Sequence, residues 1–166
     1  PPPKHNDEPV SAIAMLNQNE LKYYAPKPGG FSQGGIYVDE KGVRWVIKLY
    51  DVKGHAKNEY LAYKLYKKAG IPVPEFKLIV FNSKCAITSK MIENVGSVTP
   101  ADYPKLWSGF AIDAWLAHWD VIGIHKMDNV LKDTATGVVY RIDLGGAIDY
   151  GGAGGNKYLH PTVNDW

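Results

Sequence analysis

The order of strand-like and helix-like segments constrains the fold of this chain more than any single motif does. Four segments rich in β-branched and aromatic residues predict strands at residues 36–38, 44–50, 76–81 and 85–90. One segment whose apolar residues follow helical spacing, Gly54–Ala69, lies among them. Helical patterns otherwise come in the second half of the chain. This order favours an α+β fold over a doubly wound sheet.

Turn and capping residues set the predicted boundaries of the first half. Asp39–Gly42 has the composition of a turn and joins the first two strands into a predicted hairpin. Gly70 is placed to end the first helix, and Pro72 prevents its continuation.

The second half is predicted to contain two helices followed by a hairpin. Thr99-Pro100 is a helix-start signature for a short helix to about Leu106. Phe110–Ile122 is apolar almost all round, which predicts a long and buried helix. Two further strands joined by a turn are predicted within residues 129–142. We expect the tryptophans of this region to lie in the core: Trp107, Trp115 and Trp119.

Composition excludes several classes of protein. Hydrophobic residues make up 45% and charged residues 22% of the 166 residues, as in ordinary globular proteins, which argues against wholesale disorder. The net charge of +2 is too small to indicate nucleic-acid binding by itself. The single cysteine, Cys85, forbids an internal disulfide. No apolar run approaches the roughly 18 residues of a membrane span.

The beginning of the chain predicts a connection to a larger protein. Residues 1–25 read as a Pro-rich linker and lead-in, without an initial Met or a recognisable signal peptide. We therefore expect a compact domain at residues 26–166 that forms part of a longer parent protein and acts in a cytoplasm.

A glycine-rich loop at residues 25–35 is the first candidate for ligand binding. Glycines let the backbone approach a phosphate closely, and neighbouring polar side chains add hydrogen-bond donors. The alternative is an ordinary turn, and the loop lacks the Gly-Lys-Ser/Thr ending of a Walker A motif. The candidate phosphate-contacting residues are Gly30, Ser32, Gln33 and Gly34.

A lysine within a predicted strand is the second candidate. Lys48 shares one face of its strand with Val46, because side chains alternate along a strand. A lysine facing a cleft can act as a point charge for phosphate oxygens, although a solvent-facing edge lysine is the alternative. Glu59 on the following helix could pair with Lys48. The alternative is that Glu59 is simply an acidic residue in the first turn of the helix, where the helix dipole stabilises a negative charge.

Carboxylates and an amide cluster around the last predicted hairpin. Asp143 stands at a strand end before two glycines, and Asn129 begins the preceding strand. Hard oxygen ligands in small number suit Mg²⁺ rather than Zn²⁺. Turn capping by Asp and Asn is the alternative. Asp120 and Asp128 are the nearby carboxylates that could serve in catalysis.

Together these residues resemble the protein-kinase-like fold. Val46-Ile47-Lys48 resembles the V-A-I-K strand of kinases, and Asp143-Leu144-Gly145 resembles D-F-G. The interval from Asn129 to Asp143, with a hairpin between them, is the strongest match. The resemblance covers about residues 28–146 and is closest to compact atypical branches, the HipA-like and phosphoinositide-kinase-like enzymes. It implies two lobes, a small strand-rich N-lobe at about 26–93 and a reduced helical C-lobe at about 94–166.

The resemblance also implies roles and cofactors. Lys48 would contact the phosphates of ATP and pair with Glu59, while Asn129 and Asp143 would bind Mg²⁺. Adenine would lie against the connection between the lobes. The residues implied for the adenine pocket are Val46, Met91 and Ile92.

The candidate base is where the sequence departs from the kinase pattern. His118-Trp119-Asp120 stands in place of His-Arg-Asp, and Asp120 precedes Asn129 by nine residues, more than the usual spacing. Asp120 would orient the acceptor hydroxyl, with Asp128 as its competitor and His125 as a third possibility. No Ala-Pro-Glu segment follows Asp143.

The sequence thus predicts an ATP- and Mg²⁺-dependent phosphotransferase that acts on a hydroxyl acceptor, either a protein or a small molecule. The alternative is a nucleotide-binding pseudokinase that serves as a binding or scaffold module. A Mg²⁺-dependent nuclease or hydrolase ranks last, because it gives no purpose to Lys48 or to the glycine-rich loop.

Overall fold

The structure, a computed structural model, describes residues 20–29, 32–121, 127, 129–151 and 155–157. The predictions for Gly30, Asp128 and His125 lie outside the described residues, as does most of the predicted lead-in.

The N-terminal half is an antiparallel five-stranded sheet with one helix. Its strands are β1 Lys22–Pro26, β2 Gln33–Val38, β3 Arg44–Tyr50, β4 Phe76–Phe81 and β5 Lys84–Lys90. The helix α1, Lys53–Lys68, connects β3 to β4, and the strand order is β1-β2-β3-β5-β4. The predicted hairpins, now β2–β3 and β4–β5, and the predicted helix, now α1, are confirmed to within a few residues. Strand β1 is an addition, because the sequence pattern gives no strand signal there.

The two faces of this sheet bury different apolar clusters. Lys48 pairs with Gly34 on one side and Ile87 on the other, so these three residues share the face that packs against α1. The α1 side chains buried in that cluster include Tyr63 and Tyr66. On the opposite face a second cluster forms, and its buried members are Leu21, Trp45, Ile47, Ile79, Phe81 and Ala86.

The C-terminal half contains short helices and a small sheet. A 3-10 turn at Pro100–Asp102 leads into α2, Tyr103–Trp107, and α3, Phe110–Trp115, follows. Strands β6 Val95–Gly96, β7 Val130–Asp133 and β8 Val139–Arg141 form the second sheet in that order. A 3-10 turn at Leu144–Gly146 comes after β8. Thr99 and Asp102 form a capping box at the start of this region, as the Thr-Pro signature predicts.

The predicted long helix at Phe110–Ile122 is wrong. Helix α3 ends at Trp115, and Ala117 takes a left-handed conformation with φ +49°. The prediction of a buried helix fails as well, because Asp113 is the buried residue of α3 while Phe110 is 66% exposed. Apolar content alone could not show which helix face meets the protein.

The predicted core placement of the tryptophans is also wrong, and for Trp115 a buried ion pair explains why. Trp107, Trp115 and Trp119 are 68%, 70% and 57% exposed. Asp113 points inward, where its carboxylate accepts a hydrogen bond of 2.9 Å from Arg141 Nη2. With 3.6 residues per turn, an inward Asp113 directs Trp115 outward.

A buried polar network therefore joins the C-terminal half to α1. Arg141 is 1% exposed and also donates to the carbonyl of Leu106 at 2.7 Å. Tyr66 of α1 donates its hydroxyl to Asp113 Oδ1 at 2.7 Å, and His118 Nδ1 lies 3.0 Å from the same hydroxyl. His118 Nε2 has no hydrogen-bond partner among the described residues, whereas the mutual bonds of Arg141, Asp113 and Tyr66 favour one arrangement of the elements. None of the described helices is long and apolar enough to cross a membrane.

Candidate functional site

Lys48 is the centre of a three-element cluster of charges. Its ammonium Nζ donates to Glu59 Oε1 at 3.0 Å and also to the carboxylate of Asp143, which lies 95 residues away in sequence. Tyr50 donates its hydroxyl to the other oxygen of Glu59. Strand β3, helix α1 and the turn after β8 thus meet at one lysine.

Burial and charge in this cluster act against each other. Glu59 is fully buried and Lys48 is 9% exposed. Burial alone would lower the pKa of Lys48, but the carboxylates of Glu59 and Asp143 hold that pKa well above its usual range. Burial would raise the pKa of Asp143, yet the neighbouring Lys48 lowers it overall. The neighbouring charges therefore favour the ionised forms of Lys48 and Asp143.

The backbone after Asp143 is held by α1. Asp143 itself is in the left-handed region, with φ 52° and ψ 54°, at the start of the 3-10 turn. Asn58, buried and adjacent to Glu59, donates Nδ2 to the carbonyl of Ala147 at 2.8 Å and accepts from the amide of Asp149 at 3.2 Å. Sequence reasoning missed Asn58, because an Asn in a helix carries no signal of a distant partner.

Asn129 lies at the same end of the β7–β8 hairpin as Asp143. The amide of Ile142 donates to the Asn129 carbonyl at 3.0 Å, next to Asp143 in sequence. The side-chain Nδ2 of Asn129 donates to the carbonyl of Asp120 at 2.7 Å. An amide coordinates a cation through its oxygen, so Oδ1 is the atom that Asn129 can offer, and the bond from Nδ2 fixes the orientation of the amide.

These donors fit Mg²⁺ rather than a cage-bound metal. A carboxylate and an amide oxygen are the hard ligands that Mg²⁺ prefers, with phosphate oxygens and waters completing its octahedron. Across the described residues, no three side chains from His, Cys, Asp and Glu gather into a group that could hold a metal. Asp143 and Asn129 carry oxygen atoms of the kind that Mg²⁺ accepts as ligands.

Part of the predicted glycine-rich loop is strand, since Gln33, Gly34 and Gly35 belong to β2. Gly34 pairs with Lys48 in the β2–β3 register, and its φ is +150°. A Cβ on Gly34 would overlap the carbonyl oxygen of Ile47, so only glycine fits there. Gln33 instead pairs with Leu49, on the other sheet face, and its side chain accepts from Lys84. Ser32 is half-buried, and no hydrogen bond links its side chain to the charge cluster among the described residues.

The predicted adenine wall lies at the junction after β5. Val46 shares the cleft face with Lys48 and pairs with Ile36 and Ser89. The amide of Met91 donates to the carbonyl of Arg44 at 2.9 Å, which fixes the start of the connector. Met91 and Ile92 are half-exposed, which leaves them accessible to a ligand.

In the described residues, Asp120 makes no bond to Lys48, Glu59 or Asp143. It is exposed, and in the described part of the chain its carboxylate makes no hydrogen bond or ion pair; only its backbone carbonyl is held, by Asn129. The structure does not describe its competitor, Asp128.

Lys157 is a second residue that sequence reasoning missed. Its ammonium donates to the carbonyls of Ala117 and Gly146 and lies 5.0 Å from the ring centroid of Trp119. Burial lowers the pKa of Lys157 to about 8. Lys157 thus ties the segment before Asp120 to the segment after Asp143, although it stands in a glycine-rich stretch without a recognisable pattern.

Comparison with known proteins shows the fold. No family model matches the chain, and no curated protein matches it. Among solved structures it is similar to the Helicobacter pylori proinflammatory kinase CtkA, with a TM-score of 0.57 and 14% sequence identity. The match covers 78% of this chain and 57% of that chain, so this chain spans less than two thirds of the kinase.

The chain has a kinase-like α+β fold. That part of the sequence prediction is confirmed by the strand-rich architecture and by the structural neighbour. The HipA-like or phosphoinositide-kinase-like branch stays a prediction.

Proposed function

We propose that this protein is an ATP- and Mg²⁺-dependent phosphotransferase that transfers the γ-phosphate to a hydroxyl acceptor. The observation that carries the proposal is the bonding of Lys48 to both Glu59 and Asp143. A lysine, a helix carboxylate and a second carboxylate after a hairpin are the groups that kinases use for phosphates and metal. A compact HipA-like or phosphoinositide-kinase-like enzyme acting in a cytoplasm is the specific form that we propose.

In this proposal each residue has a positioning or electrostatic task. Lys48 contacts phosphate oxygens and is kept in place by Glu59, while Asp143 and the Asn129 amide oxygen hold Mg²⁺. Mg²⁺, when bound, neutralises phosphate charge. Asp120 orients the acceptor hydroxyl, with Asp128 as the alternative. Val46, Met91 and Ile92 contact adenine. Catalysis then consists mostly of positioning and charge stabilisation.

Replacing the metal carboxylate tests the proposal. Calorimetry should show that Asp143→Ala abolishes Mg²⁺-dependent ATP binding, because the variant lacks the carboxylate that holds the cation. Asp51→Ala is the matched control, since Asp51 is an exposed aspartate that also pairs with a strand lysine, Lys84. It should bind as the unmodified protein does. Equal Mg-ATP affinity in Asp143→Ala and the unmodified protein, with both folded by circular dichroism, would contradict the proposal.

A pseudokinase is the second candidate, and the exposed carboxylate of Asp120 favours it. A site that binds nucleotide but has no catalytic base in position would bind ATP without transferring its phosphate. Incubation with labelled ATP over a range of Mg²⁺ concentrations separates the two. Binding without label transfer to the protein itself or to added hydroxyl acceptors would identify a pseudokinase.

A further inference from the structure

The loop after β1 brings a second lysine to the charge cluster. Pro26 pairs with Gly35 in the β1–β2 register, and Gly34 pairs with Lys48 in the β2–β3 register. Lys27 is the first residue after β1, so it enters the loop beside the glycines that lie against Lys48. The sequence pattern does not predict β1, so it also does not predict that Lys27 lies near the charge cluster.

Among the described residues, Lys27 has no carboxylate partner. It is half-buried, and in the described residues its ammonium donates only to the carbonyl of Gly29, within its own loop. An ammonium has three N–H donors, so two remain for another acceptor. A half-buried cation that has lost water and gained no ion pair is a favourable place for an anion.

The charges of the site act on Lys27. Burial lowers the pKa of Lys27 most, the positive charge of Lys48 lowers it further, and Asp143 and Glu59 oppose both effects. The positive charge of Lys27 in turn lowers the pKa of Asp143. Lys27 therefore belongs to the same electrostatic cluster as Lys48, although it is bonded to neither carboxylate in the described residues.

We propose that Lys27 is a phosphate ligand that contacts the outer phosphates of a nucleoside triphosphate from the loop side, opposite Lys48. The inference rests on the proposed nucleotide site and adds a residue to it. A loop lysine and a strand lysine can both contact one polyphosphate, since an ammonium binds phosphate as a point charge. A lysine that only stabilises its own loop through Gly29 is the competing explanation.

A series of nucleotides distinguishes these two roles. Affinities of the full chain for ATP, ADP and AMP are measured by calorimetry with Mg²⁺, for the unmodified protein, Lys27→Met and Lys27→Arg. Loss of a charge-assisted contact should weaken ATP binding by about ten- to a hundredfold, ADP binding less, and AMP binding little. Lys27→Arg should retain most of the ATP affinity. Lys22→Met, an exposed lysine on β1, is the matched control and should bind all three normally.

Each other outcome counts against a specific claim. Equal ATP affinity in Lys27→Met and the unmodified protein overturns the role of Lys27 and leaves the proposed function standing. An equal loss for ATP, ADP and AMP assigns Lys27 to loop structure and also overturns the inference. No ATP binding by the unmodified protein overturns the proposed function and, with it, the phosphate role of Lys27. Thermal unfolding of all variants shows whether a loss of binding reflects a loss of folded protein.

Discussion

The two carboxylates assigned to the metal and to the acceptor, Asp143 and Asp120, lie in opposite surroundings. Asp143 is bonded to a buried lysine, and the backbone that follows it is clamped by Asn58. Asp120 is exposed, and its described contact is made by its backbone carbonyl. The Asp143 carboxylate is bonded to a lysine of strand β3, whereas the Asp120 carboxylate makes no bond in the described residues.

This difference separates two parts of the proposed site. The binding half consists of the residues assigned to nucleotide and metal, and the transfer half consists of the residue assigned to the acceptor, Asp120. Buried and mutually bonded charges keep a fixed geometry because any displacement leaves a charge without its partner. An exposed carboxylate on a turn has water as its alternative partner and can change rotamer at little cost. In the proposed function, the residues assigned to nucleotide binding are therefore held by mutually bonded charges, whereas the carboxylate assigned to the acceptor is not. The following variants test that contrast.

The largest effect is expected from Lys48→Met. It leaves the fully buried Glu59 without its cation, and loss of one partner of a buried pair should lower the free energy of unfolding by about 3 kcal/mol. Chemical denaturation measures this loss, and Mg-ATP binding should vanish in the same variant. Adding Glu59→Gln should restore part of the stability, since no buried charge is then left unpaired.

Lys84→Met is the matched control for that experiment. Lys84 is also a strand lysine paired with an aspartate, but its side chain is 39% exposed and that of Asp51 is 77% exposed. Its loss should cost less than about 1 kcal/mol. Similar losses for Lys48→Met and Lys84→Met would show that the buried cluster adds no stability of its own.

A pH-dependent effect of intermediate size is expected from His118, the buried residue just before Trp119-Asp120. Burial lowers the pKa of His118 from 6.5 to about 4. The folded protein therefore keeps the imidazole neutral where the unfolded chain would protonate it. Stability from this group is complete above pH 6.5 and falls as pH drops towards 4, by on the order of 2–3 kcal/mol.

Denaturation midpoints between pH 7 and pH 4 check this prediction. Between pH 7 and pH 4, the free energy of unfolding of His118→Gln should fall by about 2–3 kcal/mol less than that of the unmodified protein, whatever the absolute stability of the variant. His55→Gln serves as the control and should keep the full slope. Parallel curves for His118→Gln and the unmodified protein would mean that His118 titrates normally in the fold.

The smallest effect on stability and binding is expected from Asp120→Asn. An exposed side chain without described contacts should change the free energy of unfolding by less than about 0.5 kcal/mol. Mg-ATP affinity should also stay the same. Phosphate transfer should fall by at least about a hundredfold if Asp120 orients the acceptor.

Asp128→Asn is the companion variant for that measurement. Transfer that survives Asp120→Asn and is lost in Asp128→Asn would reassign the base to Asp128. A drop in Mg-ATP affinity in Asp120→Asn would break the contrast itself, because it would place Asp120 in the binding half.

The elements that local chemistry specifies could be predicted from the sequence, and those that depend on distant partners could not. The strands flanking Asp39–Gly42 and the helix ending before Gly70 follow from alternation, spacing and turn residues, and their boundaries agree with the structure. The helix after Gly109 is shorter than predicted, because apolar content does not reveal the left-handed conformation of Ala117 that follows it. Strand β1 was missed, since its residues become a strand by pairing with β2.

The same limit applies to the candidate site. Lys48, Glu59 and Asp143 were selected by residue type and order, and their roles in binding stay predictions. Asn58, Lys27 and Lys157 were not selected, because each acts through contacts with segments remote from it or through a loop that the pattern left without structure.

By itself, the sequence determined the order of the elements and the three residues of the charge cluster. Only the tertiary structure decided that Lys48 meets Glu59 and Asp143 at one point, that Asp120 stays outside that cluster, and that three tryptophans face outward. The physical reason is the separation along the chain over which each kind of interaction acts. Backbone propensity and turn chemistry act over a few residues and can be read locally, whereas burial and ion pairing depend on which surfaces the completed fold brings together.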